Sequence, residues 1–315
     1  MSQLVEGAGR RQESLCVGFL AVAVMILLIA CSPSNGGRDD RLSVVATIYP
    51  LQYFAGQIGG DRVRVTGLVP PGVEAHDWEP SPQSIATIEK ARMFVYNGAG
   101  FEPWIDRALQ NVSSKKLTVV DATEGLQLRE FSEGEEAGET DPHVWLDPHM
   151  AKGQVAVIRA ALQKLNPANS ALFQSNADRL SAQLDELDWK LAAGLQDCRR
   201  KDFIVAHEAF GYLAARYGLR DHAIAGVSPD VEPSPSQLAR LVTEAKAHGA
   251  THIFFESLVN PALSQAIARE INAQTLVLNP LESLTEEEAS AGATYFTIME
   301  ENLKNLQTAL GCKGG

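Results

Sequence analysis

Residues 166–195 read NPANSALFQSNADRLSAQLDELDWKLAAGL. The apolar positions Phe173, Ala177, Leu180, Leu184, Leu187, Leu191 and Leu195 recur at gaps of three and four, the period that gathers side chains on one helical face. Asn166-Pro167 opens the stretch as a cap, and no Gly or Pro follows from Ala168 until Gly194, so nothing in it breaks a helix. About 29 residues at 1.5 Å rise make a rod on the order of 43 Å. That is long for a globular helix. It reads either as a stiff backbone spanning two lobes or as one strand of a coiled coil. The run is short for a coiled coil, and sequence able to form a lobe lies on each side, which favours the backbone.

On the N-terminal side, β-branched runs at Leu42–Ile48, Val63–Val69, Met93–Tyr96 and Leu117–Val120 alternate with apolar-periodic segments such as Ser84–Ala91 and Trp104–Leu109. Asp147-Pro148 opens another helix, with Asp as N-cap and Pro at the first helical position. On the C-terminal side the strands are Phe203–Ala206, Ala223–Val227, His252–Glu256 and Thr275–Leu278, with helices at about Pro235–Ala247, Pro261–Asn272 and Thr285–Leu310. Strand–helix alternation at this spacing predicts parallel sheets covered by helices. The expected fold class is therefore α/β: two Rossmann-like lobes, 42–165 and 197–315, joined by one long rigid α-helix over 166–196. Residues 130–141 (EFSEGEEAGETD) form an acidic, solvated loop.

Apolar residues make up 45% of the 315-residue chain and charged residues 21%, enough for a buried core and against disorder. A net charge of −12 argues against a nucleic-acid partner, whose phosphates such a surface would repel. Leu15 to Ala30 is an uncharged apolar run shorter than the roughly 20 residues a membrane span needs. It follows Arg10 and Arg11 and ends at Leu28-Ile29-Ala30-Cys31. Residues 1–30 thus read as a signal peptide, with an uncleaved anchor helix as the competing reading. The ending resembles a bacterial lipobox, in which Cys31 becomes the lipid-modified first residue, and 31–41 suits a flexible tether. Of the four cysteines, Cys16 leaves with the leader and Cys31 takes the lipid. Cys198 and Cys312 remain in a compartment that permits disulfides, and they are expected to pair.

Seven histidines occur. His76 lies in a loop beyond a strand end, His143 just before a helix, and His207 directly after the strand Phe203–Ala206. Ligands of open α/β sheets bind outside the carboxyl ends of strands, and these three come from both halves. His248 closes a helix, where a cation suits the dipole. His149, His222 and His252 lie in a first helical turn or beside strands. All four read as structural or surface residues. Glu282 follows the strand ending at Leu278. Position leaves it open as a metal ligand or as a carboxylate favoured at a helix N-terminus.

The segments HDWEPSP (76–82), DPHVWLDP (141–148), VAHEAFGYLAARYGL (205–219) and LNPLESLTEEE (278–288), in this order, resemble the zinc/manganese-type solute-binding lipoproteins of ABC transporters, in the high-affinity zinc-uptake subgroup. The likeness covers essentially the whole chain after the leader. It implies two α/β lobes, a rigid connecting helix, a metal in the interlobe cleft, and His76, His143, His207 and Glu282 as ligands. Zinc-type members often carry a His-rich loop where this chain has 130–141, and many relatives place an aspartate where it has Asn279. Three imidazoles and a carboxylate make an N₃O set suited to tetrahedral Zn²⁺. Manganese, the alternative cargo, prefers more oxygen ligands. The resemblance implies a protein that captures Zn²⁺ as transported cargo and is not an enzyme. It would be a monomer, exported and lipid-anchored at the outer face of the cytoplasmic membrane, delivering to an ABC permease.

Ligand histidines must be deprotonated, so affinity should fall as pH drops through about 6.5 and below. Asp77, Glu79, Asp147 and Glu208 neighbour the ligands in sequence and are candidates to orient the rings. A long connecting helix should restrict metal loss to local loop motions. Three other readings compete. His207-Glu208 begins like the H-E-x-x-H helix of zinc hydrolases, but the second histidine is replaced by Gly211. A surface adhesin would need a partner that nothing here specifies. A haem or siderophore binder would want an arginine cluster in place of the histidines.

Overall fold

The computed structural model describes residues 40–131, 137–228 and 234–313. The expected leader at 1–30, the expected lipidation site Cys31 and nearly all of the expected tether lie outside the described residues. So do 132–136 of the acidic loop, whose flanks meet in a bridge between Glu130 and Thr140.

The first half runs β1 (Leu42–Ala46), α1 (Tyr49–Gly59), β2 (Val63–Gly67), α2 (Pro82–Lys90), β3 (Met93–Tyr96), α3 (Ile105–Gln110) and β4 (Thr118–Asp121). Its sheet is entirely parallel in the order β2-β1-β3-β4. After α4 (Pro148–Leu165) and α5 (Ser170–Leu195), the second half repeats the plan. It runs β5 (Asp202–Val205), α6 (Gly211–Arg216), β6 (Arg220–Ala223), α7 (Pro235–Ala247), β7 (His252–Phe255), α8 (Ala262–Ile271), β8 (Gln274–Val277), α9 (Glu286–Ser290) and α10 (Tyr295–Leu310). The order β6-β5-β7-β8, again parallel, is the same as in the first sheet. Both halves are thus α/β lobes.

Each central strand is buried on both faces, which is why it reads as a continuous apolar run instead of an alternating one. Successive side chains still point to opposite faces. In β1, Val44 and Ala46 enter the core shared by both lobes, while Val45 joins a separate cluster with Phe94 and Trp104. In β5, Phe203 and Val205 face the shared core and Ile204 packs outward with Leu241, Ile253 and Ile267. The shared core is continuous because α5 runs through it: Phe173, Ala177, Leu180, Leu184, Leu187, Leu191 and Leu195 are all buried. Asn176 Nδ2 donates to Ile58 O of α1 at 2.9 Å, and eighteen residues later Gln307 Nε2 of α10 donates to Gly194 O at 3.3 Å. Those points lie about 27 Å apart along the helix. A Cβ at Gly194 would sit 2.7 Å from Gln307 Nε2 and 3.0 Å from Leu303 Cδ1, so the glycine permits α10 to approach.

Several boundaries differ from the sequence reading. Asn166 closes α4, Pro167–Asn169 forms a 3₁₀ turn, and α5 begins at Ser170. The single helix expected over Thr285–Leu310 is two, broken around Gly292 at φ 74°, after which Thr294 starts α10 with a capping box. The strand expected at Ala223–Val227 lies earlier, because the polar edge residues Arg220–Ala223 pair with Asp202–Val205. The apolar run beyond it forms a loop that still bonds to the β5 end through Ile224 N→Val205 O at 2.9 Å. Helices α1 and α6 were not anticipated. Cys198 and Cys312 form a disulfide across 114 positions, fastening the chain just beyond α5 to the end of α10.

Candidate metal centre

The loops at the carboxyl ends of the two sheets face each other, and four side chains meet there. His76 comes from the β2–α2 loop and His143 from the segment between β4 and α4. His207 follows β5 by two residues, and Glu282 lies beyond β8. His143 and His207 are wholly buried, Glu282 is 1% exposed and the His76 side chain 8%. Glu282 Oε1 stands 3.3 Å from His76 Nε2, 3.3 Å from His207 Nε2 and 3.6 Å from His143 Nε2. His76 Nε2 and His143 Nε2 are 3.3 Å apart. Bonds of about 2.0–2.1 Å at tetrahedral angles would separate ligand atoms by about 3.3–3.4 Å. Four of the six edges, at 3.3–3.6 Å, are therefore close to those of a tetrahedral zinc site, and all four ligand atoms lie within 4.8 Å of one another.

Its polar atoms are otherwise unpaid for. Glu282 Oε1 and Oε2 and His207 Nε2 are buried with no hydrogen-bond partner among the described residues, an arrangement that costs free energy unless a ligand compensates. The opposite ring edges are fixed. His143 Nδ1 donates to Asp141 Oδ1 at 3.0 Å, and His207 Nδ1 to Glu256 Oε1 at 2.6 Å. Each carboxylate keeps its proton on Nδ1 and leaves the Nε2 lone pair for the common point.

The local backbone explains why these atoms converge. Asp141 Oδ1 also accepts from His143 N at 3.0 Å, closing a turn around its own histidine. Asn97 Nδ2 holds Pro142 O at 2.9 Å, and Gln154 Nε2 donates to Asn97 Oδ1 at 2.9 Å. Behind Asn97, buried Glu102 accepts from Thr47 Oγ1, Asn97 N and Gly98 N, at 2.6, 2.8 and 3.0 Å. Leu281 adopts φ 63°, an unusual conformation for a non-glycine residue. It is held there by Asn279 Oδ1 accepting from Leu281 N at 2.7 Å, and the turn aims Glu282 inward. Asn279 Nδ2 meanwhile donates to Glu288 Oε1 at 3.0 Å, so that side chain serves the turn.

Electrostatics in the cluster are tightly coupled. Burial opposes charge on His143 and His207, yet the carboxylates beside them outweigh it: Asp141 and Glu282 raise His143, and Glu256 and Glu282 raise His207 well above the ordinary value. For His76 burial prevails and its pKa is lowered. Burial would raise Glu282, but the three imidazoles hold it well below the usual carboxylate range. Glu74, which accepts from His76 N at 2.8 Å, is pushed up to about 8 by burial and then by Glu282.

The family described as "Zinc-uptake complex component A periplasmic" matches residues 44–309. The chain belongs to this zinc-uptake family. It is 40% identical over 307 residues to the high-affinity zinc uptake system protein ZnuA of Bacillus subtilis, covering 93% of this chain and 96% of that one. It is 38% identical over 305 residues to the zinc-binding lipoprotein AdcA of Streptococcus pneumoniae, where 94% of this chain spans 61% of the relative. The crystal structure of the Zn(II)-bound ZnuA-like domain of that AdcA superposes with a TM-score of 0.75 at 39% identity, over 86% of this chain and 99% of that domain.

Within this zinc-uptake chain, three of the four carboxylates that adjacency suggested do other work. Asp147 caps α4 by accepting from His149 N at 2.8 Å, Glu79 pairs with Arg107 at the surface at 3.0 Å, and Asp77 is exposed. The orienting acids are Asp141 and Glu256. Asp141 was within reach of a sequence argument, standing two residues before His143 in the DPH segment. Glu256 was visible only as an acid closing β7, next to β5 in the sheet. The hydrolase reading meets a steric obstacle as well. A Cβ at Gly211 would meet the Arg129 guanidinium and sit 3.0 Å from Asp141 Oδ2, so a side chain there would have to displace Arg129.

Proposed function

We propose that this protein captures Zn²⁺ outside the cytoplasm and hands it to an ABC-transporter permease, with His76, His143, His207 and Glu282 as the four ligands. The observation that carries the reading is the position of Glu282 Oε1, buried within 3.3–3.6 Å of three imidazole Nε2 atoms from distant parts of the chain. Filling the fourth position with a protein carboxylate leaves no place for a catalytic water, which suits carriage and not hydrolysis. The N₃O donor set favours Zn²⁺ over Mn²⁺, because imidazole affinity rises from manganese toward the end of the first row. Zinc in the names of the Bacillus and Streptococcus relatives points the same way.

The same proposal divides the chain into a leader at 1–30, a tether at 31–41, lobes at 42–165 and 197–315, and the connecting helix at 166–196. Lipid at Cys31 would hold a monomer at the outer face of the cytoplasmic membrane. The term lipoprotein in the AdcA name supports that anchoring. Metal analysis of protein purified without an affinity tag or added metal tests the cargo. The expected result is one tightly held zinc per chain, lost on Glu282→Ala. Retention of manganese in preference to zinc, or full zinc retention by the variant, would overturn the assignment.

A further inference from the structure

A second group of metal-type ligands lies at the other end of the C-terminal lobe. Asp202 opens β5, His222 sits in the neighbouring strand β6, and His248 follows the last residue of α7. His222 Nε2 is 3.0 Å from Asp202 Oδ1 and His248 Nδ1 is 3.6 Å from the same oxygen. One ligand atom from each of the three residues lies within 4.8 Å of the others. The imidazoles stack with centroids 4.9 Å apart and planes 24° from parallel, so both ring edges can address one point beside the carboxylate. His207 follows the opposite end of β5, so this cluster shares no residue with the cleft.

We propose that Asp202, His222 and His248 form a second, solvent-open site for a divalent first-row transition ion, weaker than the cleft. The donor set, two imidazoles and a carboxylate with water completing the shell, is that of an open zinc site and accepts Cu²⁺ still more readily. Exposure sets its character. The side chains of Asp202, His222 and His248 are 11%, 26% and 38% exposed, so an ion enters and leaves without opening the lobe. Arg220 opposes it: its guanidinium bonds Asp202 at 2.8 and 2.7 Å and places a positive charge beside the incoming cation. Each carboxylate oxygen has two lone pairs, so Oδ1 can serve both partners, at the cost of weaker ion binding. A bound ion would clip the C-terminal end of α7 to β5 and β6.

The site is independent of the cleft reading, and the experiment separates them. Untagged full-length chain, stripped by chelator, is titrated calorimetrically with Zn²⁺. The expected result is two equivalents, one tight and one weak. His222→Gln and His248→Gln each abolish the weak equivalent and leave the tight one unchanged, whereas His76→Gln removes the tight one and leaves the weak one. Arg220→Gln keeps all three ligands and removes the competing charge, so the weak equivalent should bind about fivefold tighter. A single equivalent in the wild type, a weak equivalent that survives both histidine changes, or unaltered weak binding in Arg220→Gln overturns the proposal.

Discussion

Asp141 and Glu256 set the protonation of the cleft as well as its geometry. By raising His143 and His207, they make these rings hold protons above the pH at which free imidazole loses them. The contribution of those protons to metal-free stability is complete below about 6.5, the unfolded value, and is lost as pH rises through the higher folded values. Glu282, depressed in the fold, contributes above about 4.3 and loses that contribution as pH falls. Zinc must displace the imidazole protons. Affinity should therefore begin to fall above pH 6.5, higher than free imidazole would indicate, by about 10- to 100-fold per unit for one or two displaced protons. Competition titrations against a chromophoric chelator between pH 5.5 and 8 check this, and an affinity flat down to pH 6.5 would contradict it. Removing an orienting acid has a separate signature. Asp141→Asn or Glu256→Gln should weaken zinc about 10- to 100-fold while four ligands remain, read by the same titration. The three histidines stood out in the sequence because each lies near a strand end or helix start in a segment rich in turn residues, whereas position left Glu282 open and only the family resemblance singled it out. Glu256 did not stand out, since its role depends on β7 lying beside β5, a pairing set by sheet order.

At the scale of elements, α5 was the most legible feature, because seven apolar positions keep helical period across 26 residues and nothing competes with that pattern. Short elements were harder. Residues 49–59 begin with an aromatic and a proline, and 220–223 read RDHA, so local preference argued against the helix and the strand that sheet packing imposes. The buried face of α5 predicts its own test. Leu184→Ala, at a fully buried position, should cost about 2–5 kcal/mol of stability, measured by denaturant unfolding, with zinc affinity little changed because the leucine lies away from the loops. The disulfide acts on the same element from its end. Replacing Cys198 and Cys312 with serine frees a loop of 114 positions and should cost about 4–5 kcal/mol on the chain-entropy account. A thermal scan of metal-loaded protein with and without reductant shows the loss as a lowered midpoint, and an unchanged midpoint would mean that the bridge adds nothing to the packing of α5 against α10.

Across the whole molecule, the two lobes are joined by more than α5, and the additional bonds lie at the mouth of the cleft. Trp145 Nε1 donates to Pro280 O at 2.7 Å, Tyr295 OH to Trp145 O at 2.6 Å, and Tyr49 N to Glu282 O at 2.9 Å. Tyr212 OH accepts from Arg129 N at 2.9 Å and donates to Asp141 O at 3.0 Å. Opening a hinge would break several buried bonds between lobes at once, each leaving a polar group without a partner. A compact body of this length has a radius of gyration of about 20 Å, and scattering should give the same radius with and without zinc, whereas a contraction of ~1 Å or more on metal addition would show domain closure. Release must then come from a smaller unit. Of the four proposed ligands His76 is the most exposed, and its loop is anchored to the other lobe mainly at its start, through Gly72 N→Leu284 O at 2.7 Å and Ser283 Oγ→Pro70 O at 3.2 Å. His143 and His207, in contrast, are wholly buried and held through Nδ1 by Asp141 and Glu256. Hydrogen exchange on zinc removal should accordingly quicken over 73–80 and leave 143–146 and 203–207 protected, a pattern that assigns release to one loop; equal deprotection of all three segments would assign it to the lobes.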